Sequence, residues 1–153
     1  MAVGLVRHRQ LLFNLIFIFM ADFLLPKGGV WTNRPVPTKG STAVVEGAAM
    51  TNDGTNNVVV TSATRYVTGI TRQASTSGAA DRELVMAIPR GQDCTFEATV
   101  TGTLTKAMEG TSMDFSTAVV IAQATATHSP VTLVKFISAT KGLFKFNYIT
   151  GIA

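Results

Sequence analysis

The chain has 153 residues, enough for one domain with a modest core. Hydrophobic residues make up 46% and charged ones only 14%, so long surface helices have little to be built from. The net charge of +4 falls to +2 without Arg7 and Arg9, and the other charges are scattered singly, which argues against a basic strip that grips phosphates. Cys94 is the lone cysteine, which excludes an intrachain disulfide and a cysteine-based zinc site.

Residues 1–19 form a hydrophobic N-terminal extension in which Arg7, His8 and Arg9 precede LLFNLIFIFM. That order resembles the start of a signal or anchor segment, but no small-x-small cleavage pattern follows and Asp22 interrupts the apolar run. As a helix, Leu11–Leu25 would reach roughly 22 Å, short of a ~30 Å hydrocarbon core. The composition breaks at Met20, so a misplaced start is the other reading, with synthesis normally beginning there.

Residues 20–41 read as an extended Pro/Gly arm. Gly28-Gly29, Pro35 and Pro37 oppose a helix, and Arg34-Pro35-Val36-Pro37 favours extended backbone. Trp31 either folds back on the domain's own core or inserts into a partner.

Residues 42–153 read as the β-domain. Thr42–Ala48 and Asn56–Thr61 are short strand-like runs, with Thr51-Asn52-Asp53-Gly54 as the turn between them. Arg65–Thr71 alternates, and Gln73–Ala80 is a Ser/Ala/Gly-rich exposed loop. Leu84–Ile88 is a strand closed by Pro89. In Thr95–Thr101 the residues Phe96, Ala98 and Val100 share one face, the pattern of a half-buried strand. Leu104–Glu109 suits one helical turn, unless Gly110–Asp114 is the loop of a wide hairpin. Ala118–Gln123 is strand-like.

Val131–Ile137 and Leu143–Ile149 flank Ser138–Gly142 and predict an antiparallel hairpin. Phe144, Phe146 and Tyr148 fall on its buried face, and Gly142 is expected to supply the positive φ of a three- to five-residue loop. The expected fold is all-β, a single small antiparallel sandwich or barrel with an extended N-terminal arm. No tandem repeat is evident.

Catalytic chemistry finds little to work with. Nothing around Cys94 resembles an activated thiol, and two histidines with one cysteine do not make a transition-metal site. Asp53, Asp81, Asp93 and Asp114 lack calcium-loop spacing. Asp114, His128 and Ser138 could form a triad by count, but no strand-elbow-helix context presents the serine. The sequence therefore predicts no enzyme, no catalytic residues, no metal and no cofactor. The basic and aromatic Lys141–Phe146 would suit single-stranded nucleic acid, yet Lys145 opposes Phe144 and Phe146, as in an ordinary core strand.

The strand FEATV, the loop EGTSMDFS, the strand AVVIA and the run VTLVKFISATKGLFKF lie between Thr95 and Phe146. In style and order they resemble the capsid decoration (cement, head-stabilisation) proteins of tailed bacteriophages, over about a third of the chain. The resemblance implies a virion structural protein on the capsid surface, bound to the major capsid protein as a homo-oligomer, with a trimer favoured. It implies no small-molecule substrate. The arm is then expected to make the partner contacts, through Phe23, Leu24, Trp31 and Arg34. The hydrophobic start before Met20 departs from such proteins. The alternatives are another tail or fibre accessory, a membrane-anchored β-module if residues 1–19 are retained, or a single-strand nucleic-acid binder.

Overall fold

The computed structural model describes residues 22–78, 80–123 and 126–150, and the N-terminal extension 1–19 lies outside them. The described chain is all-β. Its strands are β1 (Leu25–Gly28), β2 (Trp31–Thr38), β3 (Ala49–Asn52), β4 (Asn57–Val59), β5 (Gly69–Thr71) and β6 (Arg82–Pro89). They continue with β7 (Thr95–Thr101), β8 (Ser112–Thr117), β9 (Val120–Ala122), β10 (Val131–Ser138) and β11 (Lys141–Phe146). A single 3₁₀ turn, Lys106–Met108, is the helical turn expected within Leu104–Glu109.

Strands β2 to β6 close into a barrel in the order β2-β4-β3-β5-β6. The second sheet runs β1-β7-β11-β10-β8-β9, and a parallel β7–β9 pairing joins its last strand back to β7, so β7 to β11 also form a ring. Numbering each ring's strands first to fifth in chain order, the cyclic order is first-third-second-fourth-fifth in both. In both, the first and third strands pair in parallel and every other pairing is antiparallel. The chain thus uses one topology twice, although its residues show no repeat. Topology constrains only which positions point inward, and many apolar sequences satisfy that.

Alternation assigns the side chains. In β6, Leu84, Met86 and Ile88 point into the first ring, where they meet Val36, Val44, Ala48 and Met50. The second ring is filled by Phe96, Ala98 and Val100 of β7, Met113 and Phe115 of β8, Ile121, Val131, Leu133, Phe144 and Phe146. Phe96 stacks on Phe146 at 4.4 Å between centroids and on Phe144 at 6.1 Å. Each side chain of this size stabilises by about 1.5–3 kcal/mol through removal from water.

The same cluster continues outward to Leu24, Ala49, Val60, Val67 and Ile70, which join the two rings. Both ends of the described chain cross over. β1 pairs with β7 of the second ring, and Ile149 bridges to Val67 of the first.

The arm reading of residues 20–41 changes here. Its strands Leu25–Gly28 and Trp31–Thr38 are extended as expected, but they are woven into the body. β2 pairs with β6 at eight successive positions, from Trp31↔Pro89 to Thr38↔Arg82. The two prolines that suggested a linker are compatible with a strand whose other side is, among the described residues, paired only at Thr38. The C-terminal hairpin also differs in detail. Ser138 pairs with Lys141, so Ala139-Thr140 makes the turn, and Gly142 is a strand residue opposite Phe136. Gly142 is absent from the positive-φ glycines of the described chain, whereas Gly54, in the Asp-Gly turn between β3 and β4, has φ 106°.

Candidate partner-binding surface

The four residues expected to reach a partner divide sharply. Leu24 is fully buried, and its N–H donates to the Gly47 carbonyl at 2.9 Å, so it anchors the chain to its own body. Trp31 packs against the same core, edge-on to Phe146 at 6.3 Å, with Nε1 donating to the Gly28 carbonyl at 2.8 Å. Neither is free to insert elsewhere. The cause is β1–β2: once both strands join sheets, the apolar residues beside them are carried onto the core.

Phe23 and Arg34 remain at the surface. Phe23 is 40% exposed and stands between two depressions. One, of about 510 Å³, is lined by Asp22, Phe23, Val45, Glu46 and Val119, and Val45 there is 54% exposed. The other, of about 210 Å³, borders Glu97, whose carboxylate meets Lys141 at 3.2 Å and Lys27 at 3.7 Å. Phe23 is thus an apolar knob with acidic groups on one flank and an ion-paired cluster on the other. Arg34 projects from β2 and forms no ion pair among the described residues.

A second exposed cluster escaped the sequence reading. The Arg65 guanidinium lies 4.3 Å from the Tyr148 ring centroid and 5.9 Å from that of Tyr66, and it donates to the Tyr148 hydroxyl at 2.8 Å. That hydrogen bond, with the adjacent phenols, raises the Arg65 pKa above its ordinary value. Arg65-Tyr66 is visible in the sequence, but its meeting with Tyr148 depends on the crossover of the C-terminal segment. Val45 was missed because an exposed valine within a β-type run carries no distinguishing sequence signal.

The groups weighed for catalysis are apart or otherwise engaged. Asp114 accepts from the N–H groups of Thr127 (2.7 Å), Ser129 (2.8 Å) and His128 (3.0 Å). Burial pushes its carboxyl up, but those three bonds and the nearby His128 ring outweigh burial and hold it below the usual aspartate value. Ser138 sits at the far end of β10, where its hydroxyl accepts from Thr140 N–H. Cys94 is buried, with Sγ donating to the Val30 carbonyl. Among the described residues no three His, Cys, Asp or Glu side chains gather in a way that could hold a metal ion. Phe144 and Phe146 are 0% and 1% exposed, so they offer no stacking platform for bases.

No protein family, no curated protein and no solved structure matches this chain.

Proposed function

We propose that the protein is a non-enzymatic structural component of a virion, attached as a decoration protein to the capsid of a tailed bacteriophage. In this reading it binds the major capsid protein through several modest contacts and acts as a homo-oligomer, with a trimer favoured. The observation that carries the reading is the contrast between interior and surface. Both ring interiors are packed with side chains, while Phe23 and Val45 stand exposed around an open depression. An exposed aromatic with aliphatic neighbours and a polar rim suits a protein contact. Several such contacts, each weak, become strong when one assembly engages several shell subunits.

The test is sedimentation of the full chain with purified, expanded phage shells. The expected result is co-sedimentation at a fixed ratio to the capsid subunit, lost for Phe23→Ser with Val45→Ser. A protein that stays in the supernatant at every shell concentration overturns the reading.

A further inference from the structure

The two rings share a topology, yet they differ at one place. In each, the parallel pairing that closes the ring begins only near the C-terminal end of the first strand: Thr38↔Asn57 in one and Thr99↔Val120 in the other. On that edge the N-terminal half of the first strand is therefore left without a neighbour from its own ring. In the second ring the gap on β7 is filled by β1, antiparallel, at Thr95, Phe96 and Glu97. Aligning the two closing pairs sets Arg34, Pro35 and Val36 of β2 in the equivalent place. Among the described residues no strand pairs with them on the edge opposite β6.

The backbone at this edge points outward. In an antiparallel pair, alternate residues turn their N–H and C=O toward the partner strand. The Val30 carbonyl accepts from Arg90 N–H, so even-numbered residues face β6. Lys39 N–H donates to the Asn57 carbonyl on the opposite side, so odd-numbered residues face the open edge. Trp31 and Asn33 consequently direct both backbone groups outward, and Pro35 directs a carbonyl. Asn33, Arg34 and Pro35 are all exposed.

A depression of about 470 Å³ adjoins this edge, lined by Arg34, Val36, Pro37, Asn52, Asn57 and Thr68 among others. Asn57 is 3% exposed. Its Nδ2 donates to the Pro37 carbonyl at 2.9 Å, while its Oδ1 accepts from none of the described residues.

We propose that the open edge of β2 from Trp31 to Val36 is a strand-acceptor site, which takes an extended segment of another protein bearing a carboxylate for Arg34. Main-chain bonds to Trp31, Asn33 and Pro35 supply affinity, and the flanking side chains supply selection. A second copy of β2 is a poor occupant. It would bring two Arg34 side chains and a further pair of prolines into one short ladder, where like charges oppose each other and donors are missing. The site does not depend on the virion reading, since any acid-bearing extended segment satisfies its chemistry.

The test is an amide NMR titration of the full chain with the peptide Thr-Val-Glu-Val-Thr-Val-Glu-Thr at up to millimolar concentration, repeated with both glutamates replaced by glutamine. The Trp31 and Asn33 signals should shift, and the glutamine peptide should bind about three- to fivefold more weakly. Arg34→Gln should erase that preference without altering the remaining spectrum. Asn33→Pro removes one outward N–H and no bond to β6, so it should weaken both peptides. Unmoved Trp31 and Asn33 signals, equal binding of the two peptides, or a preference that survives Arg34→Gln would each overturn the proposal. So would shifts of these signals with protein concentration alone, which would assign the edge to a second copy.

Discussion

Ser129 holds a left-handed backbone, φ 54°, because its N–H points at Asp114 Oδ1 from 2.8 Å away. The carboxylate of β8 gathers three consecutive N–H groups and fixes the approach to β10. Replacing Asp114 by Asn removes charge from these bonds and should cost about 1.5–3 kcal/mol at neutral pH. Because the folded pKa is depressed, the contribution is fully present above the ordinary aspartate value and is lost as pH falls through the folded one. Urea unfolding of wild type and Asp114→Asn should therefore diverge at pH 7 and converge in acid.

Two glycines should respond to alanine for different reasons. A Cβ at Gly142 would lie 2.5 Å from Leu133 Cδ1 and 2.9 Å from Phe144 Cε2, inside the packed second ring. Gly142→Ala should therefore destabilise by about 1–3 kcal/mol through overpacking. At Gly54 there is open space but φ is +106°, so Gly54→Ala should cost only backbone strain, about 1–2 kcal/mol. Combining each with Leu133→Ala and measuring denaturant midpoints separates the causes. The smaller side chain should relieve Gly142→Ala and leave Gly54→Ala unchanged.

Phe144→Ala or Phe146→Ala should destabilise by about 3–5 kcal/mol, since both rings are fully enclosed and packed around Phe96. A folded protein with unchanged thermal stability after either substitution would contradict this core.

Deletion of residues 1–41 should unfold the first ring. It removes β1 and β2, and with β2 the entire eight-position ladder to β6. Circular dichroism and limited proteolysis of the truncated chain should show lost strand structure, most of all in residues 42–89. A cooperatively folded remainder would mean that the first ring does not need its first strand.

Period-two alternation is a property of neighbouring residues, so strands with one buried face could be read directly from the chain. Thr95–Thr101 is β7 with the expected boundaries, and Phe144 and Phe146 point inward as the pattern of Lys141–Phe146 requires. Asn52-Asp53-Gly54 carries its turn through side-chain bonds within a few residues, Asn52 Oδ1 to Gly54 N–H and Asp53 Oδ1 to Thr55 and Asn56 N–H. All-β character followed from such local signals. The prolines of Arg34-Pro35-Val36-Pro37 also held a usable clue, because proline within a strand requires an edge that does not need its N–H.

The choice of neighbour was decided by tertiary structure. Alternation states which face of a strand is buried but not which strand lies beside it, and a backbone ladder bonds almost any sequence. Hence the joining of β2 to β6, the crossing of β1 to β7, and the repetition of one ring topology had no local signature. Those long-range pairings buried Leu24 and Trp31, left Phe23 outside, brought Arg65 to Tyr148 and opened the edge at Asn33.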